Sequence, residues 1–231
     1  MVKKVLLVLT SHDALGDTGT KTGSWLEELA APYWTFVDAG HAVDLASIKG
    51  GAAPIDPASI GPPWLTPAGT RFQADPVASK KLAETLPLDA LGDSEFDAVY
   101  LVGGAGAAYD FPESAALGRT VSLAFGRGKP VAAVCHGVLG LVHARDRNGT
   151  LLVANRRVTG VSNVEEATVQ YDKVLPLLPE NALKSSGGTY SAGEPFGAHV
   201  VHDGNLHTGQ NPASAAPLAQ ALARELAGPA H

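Results

Sequence analysis

One cysteine, Cys135, stands in the 231 residues, so no internal disulfide can form. That usage fits a reducing compartment and leads to an expected cytoplasmic location. No run of Lys or Arg occurs and the net charge is -6. A basic footprint for nucleic acid is therefore lacking, and no nucleic-acid partner is expected. No stretch approaches the roughly 20 apolar residues of a membrane span, so no membrane partner is expected either. Residues 1–10 imitate a signal peptide, with Lys3 and Lys4 ahead of an apolar run. The run is shorter than an h-region of about 7–15 residues, and Ser11-His12-Asp13 closes it without a small-residue cleavage site. It reads instead as a first buried strand. There is no internal repeat. His12, His41, His143, His199, His202, His207 and His231 form no H-E-x-x-H pattern, and cysteine ligands are lacking, so no metal site is expected. His199 and His202 read as surface residues of a hairpin.

What is present suits one large α/β domain over 1–231. The hydrophobic fraction is 45% and the charged fraction 17%, ordinary for a protein with a sizeable core. Strands are expected at 5–9, 42–48, 97–102 and 130–134. Helices are expected at 22–39, 77–86, 112–126, 137–144 and 163–175, and from 211 or 212 to 226, with Gly228-Pro229 as a tail. Pro32 should bend or split the first helix. Segment 50–76, with Pro54, Pro57, Pro62, Pro63 and Pro67, reads as an insert or lid loop. Residues 199–202 and 206–208 flank Asp203-Gly204-Asn205, a hairpin signal expected at a sheet edge. Alternating strands and helices predict a mostly parallel sheet covered on both faces.

Three groups of residues point to chemistry. In Ala133-Val134-Cys135-His136-Gly137 a buried strand runs straight into a turn. This is the logic of a nucleophile elbow at the carboxyl end of a sheet. A helix N-terminus following Cys135 would stabilise a thiolate and lower its pKa. An isolated cysteine is usually an inert core residue; the strand–Cys–His–Gly context points to a reactive one. Next, Gly103-Gly104-Ala105-Gly106 would end the neighbouring strand, and its backbone N–H groups would serve an oxyanion beside Cys135. No Gly-Lys-Ser/Thr follows, and the spacing breaks the dinucleotide pattern. Finally, Glu27 or Glu28 could face the cysteine, and Glu165 or Glu166 could orient His136. Their bland reading is that of solvated helix acids. Spacing alone does not choose among the four.

At Cys135-His136 the chain resembles the DJ-1/PfpI superfamily of class I glutamine-amidotransferase-like proteins, and within it the Hsp31-like branch. The resemblance covers nearly the whole chain. It is carried by Lys4-Val5-Leu6-Leu7-Val8-Leu9-Thr10-Ser11, by Lys21-Thr22-Gly23 with Glu28 and Pro32, and by Gly40 before Val43-Asp44-Leu45-Ala46-Ser47. Further along it is carried by Val131-Ala132-Ala133-Val134-Cys135-His136-Gly137, by Thr159-Gly160 with Glu166, and by Asp203-Gly204-Asn205-Leu206 with Thr208-Gly209-Gln210-Asn211-Pro212-Ala213-Ser214.

The resemblance implies a flavodoxin-like three-layer α/β sandwich and a homodimer. It matches Glu28 to the glutamate that contacts the cysteine and Glu166 to the third member of a Cys-His-Glu triad. Cys135 would then be the nucleophile, His136 would move protons, Glu166 would fix its tautomer, and Glu28 would hydrogen-bond the sulfur or pass a proton to substrate. The implied activity is that of a glyoxalase III, a lyase or hydrolase turning methylglyoxal into lactate without metal, glutathione or other cofactor. A hydratase acting on an isonitrile-like metabolite, and a stress-response chaperone or redox sensor oxidised at Cys135, are the alternatives. Glutaminase chemistry is not expected, because His136 adjoins the cysteine. The Hsp31-like turn commonly reads Gly-Gly-His-Gly; here Ala105 takes the histidine's place. That removes an imidazole, leaves a wider and less polar pocket, and admits a larger or different substrate. Trp64 in segment 50–76 is expected in the pocket wall.

Overall fold

The computed structural model describes residues 1–228. Pro229 of the expected tail and His231 lie outside them. The first elements are β1 (Lys4–Leu9), α1 (Leu26–Asp38), β2 (Ala42–Ser47), α2 (Pro67–Ala74), α3 (Pro76–Ala83) and β3 (Leu86–Pro87). The middle of the chain forms β4 (Ala98–Leu101), α4 (Ala107–Asp110), α5 (Ala115–Gly126), β5 (Val131–Val134) and a 3₁₀ helix, Cys135–Leu141. The rest forms β6 (Arg157–Val158), α6 (Asn163–Thr168), α7 (Pro179–Ser185), β7 (Thr189–Tyr190), β8 (Val200–Asp203), β9 (Leu206–Gly209) and α8 (Ala215–Ala227).

The main sheet has seven strands in the order β3-β2-β1-β4-β5-β9-β8. Its pairings are parallel except β8 with β9. The hairpin therefore sits at one edge, as the Asp203-Gly204-Asn205 signal predicts. β6 and β7 form a separate two-stranded parallel sheet.

Both faces of the sheet are covered. Val5, Leu7 and Leu9 of β1 join one apolar cluster with Leu29, Tyr33 and Phe36 of α1 and Leu218 and Leu222 of α8. Leu6 and Val8 point the other way, into a cluster with Leu117 and Val121 of α5 and Val138 and Leu139 of the 3₁₀ helix. A strand buried on both faces has no polar side to show, which is why β1 reads as a continuous apolar run. The result is the α/β three-layer sandwich that alternating elements predict. Among the described residues no helix is long and apolar enough to cross a membrane.

Several local expectations need correction. Pro32 does not split α1, which runs unbroken from Leu26 to Asp38. The helix expected at 77–86 stops at Ala83, and Leu86 pairs with Ala46 as an edge strand. Segment 50–76 is not all loop: Thr66 caps α2 by accepting from the Gly69 N–H at 3.0 Å, and Phe72 drops into the core. The element after Cys135 is a 3₁₀ helix, because it packs hard against β4. A Cβ on Gly137 would lie 2.6 Å from the Leu101 carbonyl oxygen. The helix expected over 163–175 ends at Thr168, and Gln170 two residues on turns the chain with a φ of 61°.

Candidate active site

β4 and β5 are neighbours in the sheet, so the turns that leave their carboxyl ends lie together. Cys135 follows β5 directly with φ 57°, a left-handed conformation that costs a non-glycine residue energy and is retained where packing enforces it. The turn after β4 supplies Gly103. A Cβ there would lie 2.7 Å from the Cys135 Cβ and would also collide with the Glu28 carboxylate. Only glycine lets those two side chains approach.

His136 links the cysteine to an acid. Its Nδ1 is 3.2 Å from the Cys135 Sγ, and its Nε2 is 2.8 Å from Glu166 Oε1 as an ion-pair contact. With Nε2 turned to the carboxylate, Nδ1 is the nitrogen left to exchange a proton with sulfur. Burial by itself lowers the pKa of His136, but the Glu166 charge and contact outweigh it, and the net direction is up.

Glu28 is fully buried in α1. Burial pushes its pKa up to about 8, and the Cys135 thiol, the His136 charge and the Gly103 N–H offset only part of that. Near neutral pH it is therefore a carboxylic acid beside sulfur, able to donate a proton. Burial also holds the Cys135 thiol well above the usual range, and the charges of Glu28 and Glu166 add to this. This corrects the expectation of a thiol acidified by a helix N-terminus. The following helix is a short 3₁₀ segment, and the dominant influence is desolvation. His136 Nδ1, at 3.2 Å, is the ring nitrogen in contact with that sulfur.

The structure separates the four candidate acids. Glu166 faces His136. Glu165 instead accepts from the Ser162 N–H at 2.9 Å, the Phe196 N–H at 2.8 Å, Gln210 Nε2 at 2.9 Å and Asn211 Nδ2 at 2.8 Å. Burial raises its pKa, but these donors outweigh that and hold it low. Glu165 is a knot binding three chain segments. Glu27 hydrogen-bonds Thr66 and so ties α1 to α2.

A cavity of about 500 Å³ opens on Cys135 and His136. Gly104 and Ala105 line it, as does the anticipated Trp64. Gly106 does not: its N–H goes to the Gly23 carbonyl at 3.3 Å, and a Cβ there would lie 2.6 Å from the His12 carbonyl oxygen. His199 contacts Ser191 and His202 contacts His207, and neither lines the cavity. The wall also contains Trp25, and Tyr171, Phe196 and Asp56, which the sequence did not single out. Gln170 turns Tyr171 into the cavity, and no periodic pattern announces such a residue. Among the described residues no group of three or more His, Cys, Asp or Glu side chains is placed to hold a metal ion.

The DJ-1/PfpI family profile matches residues 21–225, which is most of the chain. The chain belongs to the DJ-1/PfpI family. Among relatives, it is 32% identical over 222 residues to the glutathione-independent glyoxalase HSP31 of Saccharomyces cerevisiae, covering 92% of this chain and 93% of the relative. The Rapid Encystment Protein 24 KDa of Francisella tularensis superposes with a TM-score of 0.93 at 35% identity, over 97% of this chain and 99% of that one. Glyoxalase III from Candida albicans superposes with a TM-score of 0.86 at 26% identity, over 95% of each chain. The similarity of this DJ-1/PfpI chain to proteins named as glyoxalases thus extends over 92–95% of its length, not just a motif.

Proposed function

We propose that this DJ-1/PfpI chain is a cofactor-independent glyoxalase III-type enzyme that converts a 2-oxoaldehyde and water into a 2-hydroxy acid. The observation that carries the reading is the line Cys135–His136–Glu166 along the wall of a cavity, with the carboxyl of the buried Glu28 beside the cysteine across Gly103. Similarity to two glyoxalases over 92% and 95% of the chain supports it.

The residues account for each proton. His136 Nδ1 takes the thiol proton as sulfur bonds to the aldehyde carbon, and returns it to the aldehyde oxygen, giving a hemithioacetal. The N–H groups of Gly104 and Ala105 receive that oxygen while it carries charge. Neutral again, His136 removes the hydrogen on the former aldehyde carbon. The electron pair forms the carbon–carbon double bond of an enediol, and Glu28 protonates the ketone oxygen. His136 then returns its proton to the second carbon, and Glu28 takes the hydroxyl proton from the first. A thioester results. The first carbon has been oxidised and the second reduced, with no outside electron acceptor. Water, with His136 as base, breaks the carbon–sulfur bond and frees the acid and the thiol. Glu166 holds the imidazole in the tautomer that makes this possible.

The resemblance carries the proposal of a homodimer, and the single cysteine that of a cytoplasmic location, which sedimentation and cell fractionation test. The deciding experiment is lactate formation from methylglyoxal without glutathione. Wild type should turn over, and Cys135→Ala should not. Equal rates in the two proteins would end the reading.

A further inference from the structure

We propose that the preferred substrates are uncharged 2-oxoaldehydes with a flat aromatic tail, an inference that rests on the glyoxalase reading of the same site. The cavity is far larger than the reaction needs. A three-carbon 2-oxoaldehyde occupies a small part of about 500 Å³, a volume that falls within the range that holds drug-sized ligands. Beside Cys135, the Ala105 methyl leaves that space open instead of filling it.

The surplus wall is apolar and aromatic. Trp25 and Trp64 meet edge to face, with ring centroids 5.9 Å apart and an interplanar angle of 74°. Trp64 is nonetheless 51% exposed. Nine large hydrophobic residues are exposed among the described residues, and Trp64, Val169 and Phe196 of these converge on this one cavity. Exposed apolar side chains gathered in a concave site gain by burial under a ligand, and aromatic rings gain further from a ring stacked or edge-on against them.

Phe196 adds a second kind of evidence. Its φ is 60°, which is unfavourable for a bulky side chain. The conformation is held by its N–H bonding Glu165 Oε1 at 2.8 Å. Backbone strain of this kind persists where the surrounding structure enforces it and clusters at ligand clamps. Here it places a phenyl ring at the cavity wall.

Charge sets the rest of the specificity. Glu27, Asp56, Glu165 and Glu166 border the cavity, and no Lys or Arg does. A substrate with a carboxylate or phosphate tail would meet like charge with no cation to receive it. The product is itself a carboxylate, so the lining that admits a neutral aldehyde also favours release of the acid.

The test compares phenylglyoxal, 4-carboxyphenylglyoxal and methylglyoxal by kcat/KM. Phenylglyoxal should exceed each of the others by about tenfold or more. Trp64→Ala should lower the phenylglyoxal-to-methylglyoxal ratio by about tenfold, and Trp64→Phe should restore most of it. A ratio that stays constant across these variants, or a preference for methylglyoxal or for the carboxylated compound, overturns the proposal. Binding of acetophenone to Cys135→Ala, followed by tryptophan fluorescence, separates the two levels. If no 2-oxoaldehyde is turned over, the glyoxalase reading falls. Saturable quenching, weakened in a Cys135→Ala, Trp64→Ala double variant, still supports an aryl site, whereas its absence removes that too.

Discussion

Gly103 and Cys135 sit so close that a Cβ on Gly103 would lie 2.7 Å from the Cys135 Cβ. The glycine is the seat on which Glu28 and the sulfur meet. Gly103→Ala should force the two side chains apart, at a cost of about 1–3 kcal/mol in stability from overpacking. Activity should fall by about 100-fold or more, since a displacement of about 1 Å is enough for that. Urea unfolding and steady-state kinetics on the same preparation would show whether the variant is folded yet inactive.

Glu28 should make the fold less stable as pH rises. Its carboxyl titrates at about 8 in the fold against 4.5 ordinarily. Between those values the folded chain binds the proton and the unfolded chain does not, so stability is lost across that window as pH increases. The loss is on the order of 5 kcal/mol once pH exceeds both values. Glu28→Gln stays neutral throughout. Unfolding free energies at pH 5 and pH 9 should differ more for wild type than for this variant, and a matching difference would show that Glu28 is charged in the fold. The variant should also lose most activity, because an amide cannot cycle a proton.

Glu166→Gln should shift the acid limb of the pH–rate profile to lower pH. The carboxylate is what raises the His136 pKa against burial. Without it, desolvation prevails and the imidazole stays neutral to lower pH. Orientation is lost at the same time, so kcat should drop by about 10²–10⁴-fold. Measuring kcat/KM between pH 5 and 9 distinguishes the two effects: a mere drop with no shift would mean that Glu166 orients the ring without tuning it.

Ala105→His should contract the cavity beside Cys135. Ala105 is buried at the wall, and an imidazole there would occupy space that an aromatic tail needs. The phenylglyoxal-to-methylglyoxal ratio of kcat/KM should fall by about tenfold. Competition between the two substrates in one assay reads the ratio directly.

Much of this molecule is legible before folding is considered. The runs at 5–9 and 131–134 can be buried only as strands covered on both sides, and they are β1 and β5. The chain places His136 next to Cys135 by covalent adjacency, and the Asp203-Gly204-Asn205 turn sets its own hairpin. Local chemistry suffices for each. It fails where an element is decided by a distant neighbour. The 3₁₀ form of Cys135–Leu141 comes from the close approach of Gly137 to Leu101, a contact between a helix and a strand that are far apart in sequence.

The site divides along the same line. By itself the sequence determined that a cysteine and a histidine would stand at the end of a buried strand, with two pairs of neighbouring glutamates as candidate partners. Only the tertiary structure decided which member of each pair turns inward. Adjacent residues on a helix point about 100° apart, so the choice depends on the helix's rotation about its own axis. For α1 that rotation is set by Leu26, Leu29 and Tyr33 packing into the core, which sends Glu28 toward sulfur and Glu27 toward Thr66. For α6 the Glu165 carboxylate is claimed by Ser162, Phe196, Gln210 and Asn211, and Glu166 is left for His136.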